Sequence, residues 1–244
     1  MTQRFAELDW TPTPIGDVSL RRRLDPVTGL EVYEVLLGDE YLMSSAFTHA
    51  EVELARLGLG RLDGADLAVA VGGLGLGHTA ATVLAEDRVT ELFVVEALEP
   101  VARWHAEGLV PLGAGLTADP RCRVVLGDFF ALSHGPGFDP DRPGRRFDAV
   151  LVDIDHAPRH LLAPDGAELS GADFYSLAGT RTLAAHLRPG GVYGLWSNDP
   201  PDEAYLEVLR DVFADVAAEV VGFPNPLQGR EATNTVYLAT EPAH

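Results

Sequence analysis

Five short apolar runs, at residues 67–71, 92–95, 123–126, 147–152 and 192–196, constrain the fold more than any other feature. Four of them stop at glycines or an acid: Gly72 and Gly73, then Glu96, then Gly127 and Asp128, then Asp153. Stretches with helical apolar spacing follow or separate them at 79–86, 100–107, 174–187 and 202–213. Short, mainly apolar runs of this length suit strands buried on both faces. Strands alternating with helices form βαβ units, so the expected fold is α/β, a doubly wound, mostly parallel sheet. Segments 216–223 and 235–239 read as late strands. In such a sheet the carboxyl ends of the strands border the ligand crevice. The polar residues just past each run are therefore the candidate site.

The first sixty residues follow a different pattern. Runs at 18–24 and 30–37 flank Asp25-Pro26-Val27-Thr28-Gly29, which supplies a proline for turn entry and a glycine for positive φ. This reads as a β-hairpin, followed by a helix over 47–59. The expected organisation is an N-terminal β-hairpin and helix segment, 1–60, and a Rossmann-like nucleoside-binding catalytic domain, 61–244. The Pro-, Gly- and Asp-rich stretch 135–144 reads as an exposed loop.

Hydrophobic residues make up 46% of the 244, enough for a full core. All 18 basic residues are arginine, so Schiff-base chemistry, pyridoxal phosphate anchoring and a Walker A loop are excluded. The net charge of −19 opposes a phosphate backbone, so no nucleic-acid partner is expected. It would steer in a cationic substrate, or serve solubility alone. The single cysteine, Cys122, excludes an internal disulfide and fits a reducing cytoplasm. No apolar signal core follows Met1, and no apolar run is long enough to span a membrane.

The loop after the first run contains Gly72, Gly73, Gly75 and Gly77. Glycines there let backbone approach a ligand and expose amides. A dinucleotide fingerprint would need glycine at 78, where His78 stands. The tighter spacing suits a nucleoside without pyrophosphate, notably S-adenosylmethionine; a structural turn is the plainer reading. Glu96 lies 19 residues beyond Gly77, where a carboxylate can accept from ribose hydroxyls. Asp128 could accept from an adenine amino group with Phe129 packed on the base; equally, Asp128 could cap a helix and Phe129 sit in the core. Asp153, Asp155 and His156 place two carboxylates and an imidazole where a reacting centre would face an amine. Asp155 could instead cap a turn, and His156 face solvent. Asp155, His156 and His160 match no standard metal-ligand spacing, so no metal is expected. Residues 198–201, Asn-Asp-Pro-Pro, read as a turn and helix start.

In order along the chain stand Glu40-Tyr41, His49-Ala50-Glu51, the 72–77 loop, Val94-Val95-Glu96, Asp119-Pro120-Arg121 before Gly127-Asp128, and the run from Phe147 to Asp153. Phe174-Tyr175 and Leu187-Arg188-Pro189-Gly190-Gly191 follow. This ordered set, over roughly 40–240, resembles the spermidine synthase (polyamine aminopropyltransferase) family in a divergent form. The resemblance implies an S-adenosylmethionine-dependent methyltransferase-like Rossmann fold with a small N-terminal β-hairpin segment. It implies decarboxylated S-adenosylmethionine as co-substrate and a small amine as acceptor. It gives Glu96 the ribose, Asp128 the adenine and Asp153 the role of base. A dimer through the N-terminal segment is a further implication. The family's GGGDGG loop has an aspartate that helps bind the amine end of the aminopropyl group; Gly75 stands in its place. Its tyrosine-histidine-glutamate-methionine motif reads His49-Ala50-Glu51-Val52 here, keeping Glu51.

Three functions compete. The first is a spermidine synthase-like transferase with Asp153 as base, and with Asp155, His156 and Glu51 around the acceptor. The second is a small-molecule methyltransferase using S-adenosylmethionine, for which Gly75 would leave room for the cofactor carboxylate. The third is a nucleoside-binding protein without turnover.

Overall fold

The computed structural model describes residues 4–154, 157–158, 173–225 and 230–242. Two sheets result. The first is antiparallel, in the order β1 (Phe5–Thr13), β2 (Gly16–Leu24), β3 (Glu31–Leu37), β4 (Glu40–Ser44). The expected hairpin is its β2–β3 pair. Its turn is closed by Asp25, whose carboxylate accepts from the Val27 and Thr28 amides at 3.0 and 2.8 Å. Strands β1 and β4 extend the hairpin on either side and were not expected.

The second sheet has seven strands. They are β5 (Leu67–Gly72), β6 (Val89–Glu96), β7 (Cys122–Leu126), β8 (Phe147–Val152), β9 (Leu187–Ser197), β10 (Phe213–Asn225) and β11 (Arg230–Pro242). Their spatial order is β10-β11-β9-β8-β5-β6-β7. The pairs among β5 to β9 are parallel, and β11 pairs antiparallel with both β9 and β10. The chain runs outward from β5 to β6 and β7, then returns to place β8 on the other side of β5. That reversal puts the switch point between β5 and β8. The expected doubly wound, mostly parallel sheet is thus present.

Alternation explains why the strand runs are apolar throughout. Val69 and Val71 of β5 face one core, and Ala68 and Ala70 the other. The first core takes helices α1 (His49–Gly60), α2 (His78–Leu84), α3 (Glu99–Ala106) and α4 (Gly113–Ala118). The second is rich in aromatics and takes α5 (Phe129–His134), α6 (Leu177–Ala184) and α7 (Glu203–Arg210). Asp202 caps α7 by accepting from the Ala204 amide at 3.0 Å, as the turn-and-helix reading of that stretch requires.

The N-terminal sheet shares the first core: Val18, Leu20 and Val35 belong to the same apolar cluster as Leu54 of α1 and Val71 of β5. A polar clasp reinforces the contact. One oxygen of Asp9 on β1 accepts from the Trp104 indole and from Arg103, both at 2.7 Å, on α3. Docked this way, β4 reaches the carboxyl ends of the parallel strands.

Candidate active site

The glycine loop joins β5 to α2 across the switch point. Gly73, Gly75 and Gly77 have φ of 91°, 49° and 91°, a region L side chains rarely adopt. Crowding fixes two of them further. A Cβ on Gly73 would stand 2.1 Å from the Asp153 carbonyl oxygen, and one on Gly77 would stand 2.6 Å from Leu116. The main chain beside Asp153 is therefore in contact with the loop. His105, fully buried below, donates from Nε2 to the Gly75 carbonyl at 2.8 Å.

Glu96, at the tip of β6, is buried and organises this loop. Its two oxygens accept from the Leu74 and Leu98 amides at 2.9 and 2.8 Å. Burial raises its pKa, against the lowering effect of these and neighbouring amides. The Gly75 and Ala97 amides are among those neighbours, so Glu96 binds the glycine loop to the tip of β6.

Asp128 is exposed and caps α5, accepting from the Phe130 and Ala131 amides at 2.8 and 3.3 Å. Phe129 is not brought to the crevice. Its ring is 2% exposed, stacks on Phe138 at 4.6 Å and packs under Gly72. It holds the loop from below rather than facing a base.

Asp153, just past β8, accepts from the Thr79 hydroxyl at 2.8 Å. It lines a cavity of about 400 Å³ together with Glu51 of α1, the 74–78 loop, Met43 of β4 and a far wall from β9 to β11. Burial raises both carboxyls. Glu51 is pushed up to about 8 by burial and by the Asp153 charge, and Asp153 up to about 6 by burial. Burial and their nearness to each other thus oppose charging both carboxyls at once. His78, on the same cavity, is held below its usual pKa by burial and by His105, and so stays neutral.

Because the folded pKa values are raised, the folded chain keeps protons that the unfolded chain releases as pH rises from about 4 to about 8. Stability conferred by the protonated pair is complete at low pH and is lost across that window. Glu51→Gln removes the like-charge conflict. It should flatten the decline and raise the thermal midpoint at pH 8 by about 2–4 °C, the equivalent of about 1 kcal/mol in a chain this size. Scanning calorimetry between pH 4 and 8 measures this; parallel curves for variant and parent would refute it.

Met43 stands beside Gly75: a Cβ there would be 2.6 Å from its sulfur. Asp155 and His156, with His160, lie outside the described residues. Sequence reasoning missed Thr79, His105 and Met43. Thr79 adjoins the glycine loop and could have been flagged as a helix-start hydroxyl; nothing in sequence marks the other two.

No protein-family model matches the chain. Solved structures do. A spermidine synthase from Thermotoga maritima superposes with TM-score 0.69 at 16% identity, over 96% of this chain and 72% of that one. A spermidine synthase in complex with the transition-state analogue AdoDATO gives 0.72 at 15%, over 96% and 73%. The fold is that of the spermidine synthases. A probable spermidine synthase from Corynebacterium glutamicum agrees, at 0.64 and 16% identity over 96% and 79%. The spermidine synthase fold accounts for the N-terminal sheet, whose β4 closes one side of the crevice.

Proposed function

We propose that the protein is a group transferase that moves an aminopropyl or related alkyl group from an S-adenosylmethionine-type sulfonium, decarboxylated or intact, to a small amine. One observation carries this reading: Asp153 and the glycine loop border the same cavity, at the switch point of the sheet. The residues suit the nucleoside half of such a donor. The loop from Leu74 to His78 lines the cavity, and Glu96 places a carboxylate at the tip of the adjacent strand. When bound, the sulfonium offers a carbon whose bond to sulfur breaks, with its electron pair going to sulfur, as the amine nitrogen bonds to that carbon.

The chain's own part is proton handling and placement. An ammonium has no lone pair, so Asp153 takes its proton before attack. Thr79 fixes the carboxylate by its hydrogen bond, and burial raises the pKa of Asp153 towards working pH. The cavity then holds amine and donor side by side, which removes much of the entropic barrier. The −19 charge favours a cationic acceptor over nucleic acid, and among the described residues no helix is long and apolar enough to cross a membrane. The proposed setting is the cytoplasm, and no metal is required for this chemistry.

Incubation with either donor form and a primary amine, followed by chromatography, tests the reading. Release of 5′-methylthioadenosine supports aminopropyl transfer. S-adenosylhomocysteine would signify methyl transfer instead. Donor binding without either product would leave a nucleoside-binding protein, and no binding would overturn the proposal.

A further inference from the structure

One imidazole grips the glycine loop from the side of α3. His105 is fully buried, and its Nε2 lies 2.8 Å from the Gly75 carbonyl oxygen. A carbonyl oxygen only accepts, so Nε2 carries the proton. The opposite tautomer would set two acceptors against each other at that distance. It would also bury an Nδ1–H that has no partner among the described residues. Burial lowers the pKa of the ring and so keeps it neutral. Packing fixes the ring in place. A Cβ on Gly77 would stand 2.9 Å from His105 Cε1, and one on Gly113 would stand 2.7 Å from the His105 carbonyl oxygen. Glu96 acts on the same loop with opposite polarity, accepting from the Leu74 amide at 2.9 Å. Its carboxylate oxygens hold amides; the Gly75 carbonyl needs an N–H, and His105 supplies it.

We infer that His105 is a positioning residue of the sulfonium site: its Nε2–H fixes the Gly75–Leu76 peptide so that the Leu76 amide is presented to the bound co-substrate on the side away from α3. The peptide bonds of the described residues are trans, and in a trans peptide the C=O and the following N–H point in opposite directions. With the Gly75 carbonyl turned to His105, the Leu76 N–H is turned the other way. Leu76 lines the cavity although its side chain belongs to the first core. An N–H already held in place needs no reordering when an oxygen or nitrogen of the ligand meets it, so the cost of binding falls. This inference rests on the proposed sulfonium co-substrate and names a residue that places it.

Two variants and one spectrum test it. His105→Leu keeps an apolar body and removes the N–H, whereas His105→Gln keeps an N–H at the end of the side chain. Calorimetry with S-adenosylmethionine and with its decarboxylated form reads affinity, and thermal melting reports folding. His105→Leu should weaken binding of whichever form the parent prefers by about tenfold, and His105→Gln should recover it to within about threefold of the parent. In turnover the leucine variant should lose in KM for the sulfonium rather than in kcat. Nitrogen-15 NMR of the parent, with no ligand added, should show His105 protonated at Nε2 and bare at Nδ1. A proton on Nδ1 alone overturns the inference, whatever the variants do. So does unchanged affinity in a folded His105→Leu, or an equal loss in both variants. If neither form of the co-substrate binds the parent, the group-transfer reading fails and takes this role with it. If the parent binds and the variants behave as expected but no thioether is released, the group-transfer reading alone is struck.

Discussion

Asp153→Asn should lower the rate of group transfer by about 10²–10⁴-fold, the usual worth of a general base. The substitution preserves shape. Asparagine still offers an oxygen to the Thr79 hydroxyl, which now donates to Asp153 at 2.8 Å. What it removes is the acceptor for the ammonium proton. It also removes the Asp153 charge that adds to burial in raising Glu51, so the Glu51 pKa should fall while burial still holds it above the ordinary range. Donor affinity should change only a few-fold, because the glycine loop and Glu96 do not bond to the Asp153 side chain. Turnover and donor affinity measured together separate chemistry from binding. Turnover retained within a few-fold of the parent would remove Asp153 as the base, and Glu51, the other carboxyl that the described residues place on the cavity, would become the candidate.

The strands were the most legible part of the chain. Runs such as 67–71 are apolar on both faces because each face meets a helical layer, and few other structures ask for that pattern. Glu96 and Asp153 were legible for the same reason, since a strand end is where an acid reaches the crevice. Phe129 was not. A phenylalanine after a strand-end aspartate has one sequence pattern whether it stacks on a base or fills the core, and here Phe138 and Gly72 claim it. Strand β1 was missed because it alternates between exposed and half-buried positions, with no buried face to write an apolar pattern. The partnership of Glu51 with Asp153 spans 102 residues, and only the docking of α1 over the sheet brings it about. Met43 over Gly75 is likewise a product of β4 reaching across from the other sheet.

The close approach of the glycine loop to Asp153 gives the largest expected stability effect. In Gly73→Ala the new methyl would meet the Asp153 carbonyl oxygen at 2.1 Å, with Ile154 at 3.3 Å. Neither main-chain segment is free to yield. Gly73 donates to the Val95 carbonyl at 2.9 Å, and Asp153 donates to the Gly72 carbonyl at 2.8 Å, so the tips of β5, β6 and β8 are tied together. The residue would also have to keep φ near 91°. Backbone strain of about 1–3 kcal/mol and overpacking of about 1–3 kcal/mol add to a loss of about 2–6 kcal/mol. Gly190→Ala supplies the control. Its φ is 77°, yet a Cβ there meets nothing within 4 Å, so only the conformational part should appear. Denaturant titration of the two variants isolates the steric part as their difference. Equal losses would mean that the loop does not press on the Asp153 main chain. A larger loss in Gly73→Ala, with turnover falling further than donor affinity, would show that the loop sets the position of the base as well as the path of the backbone.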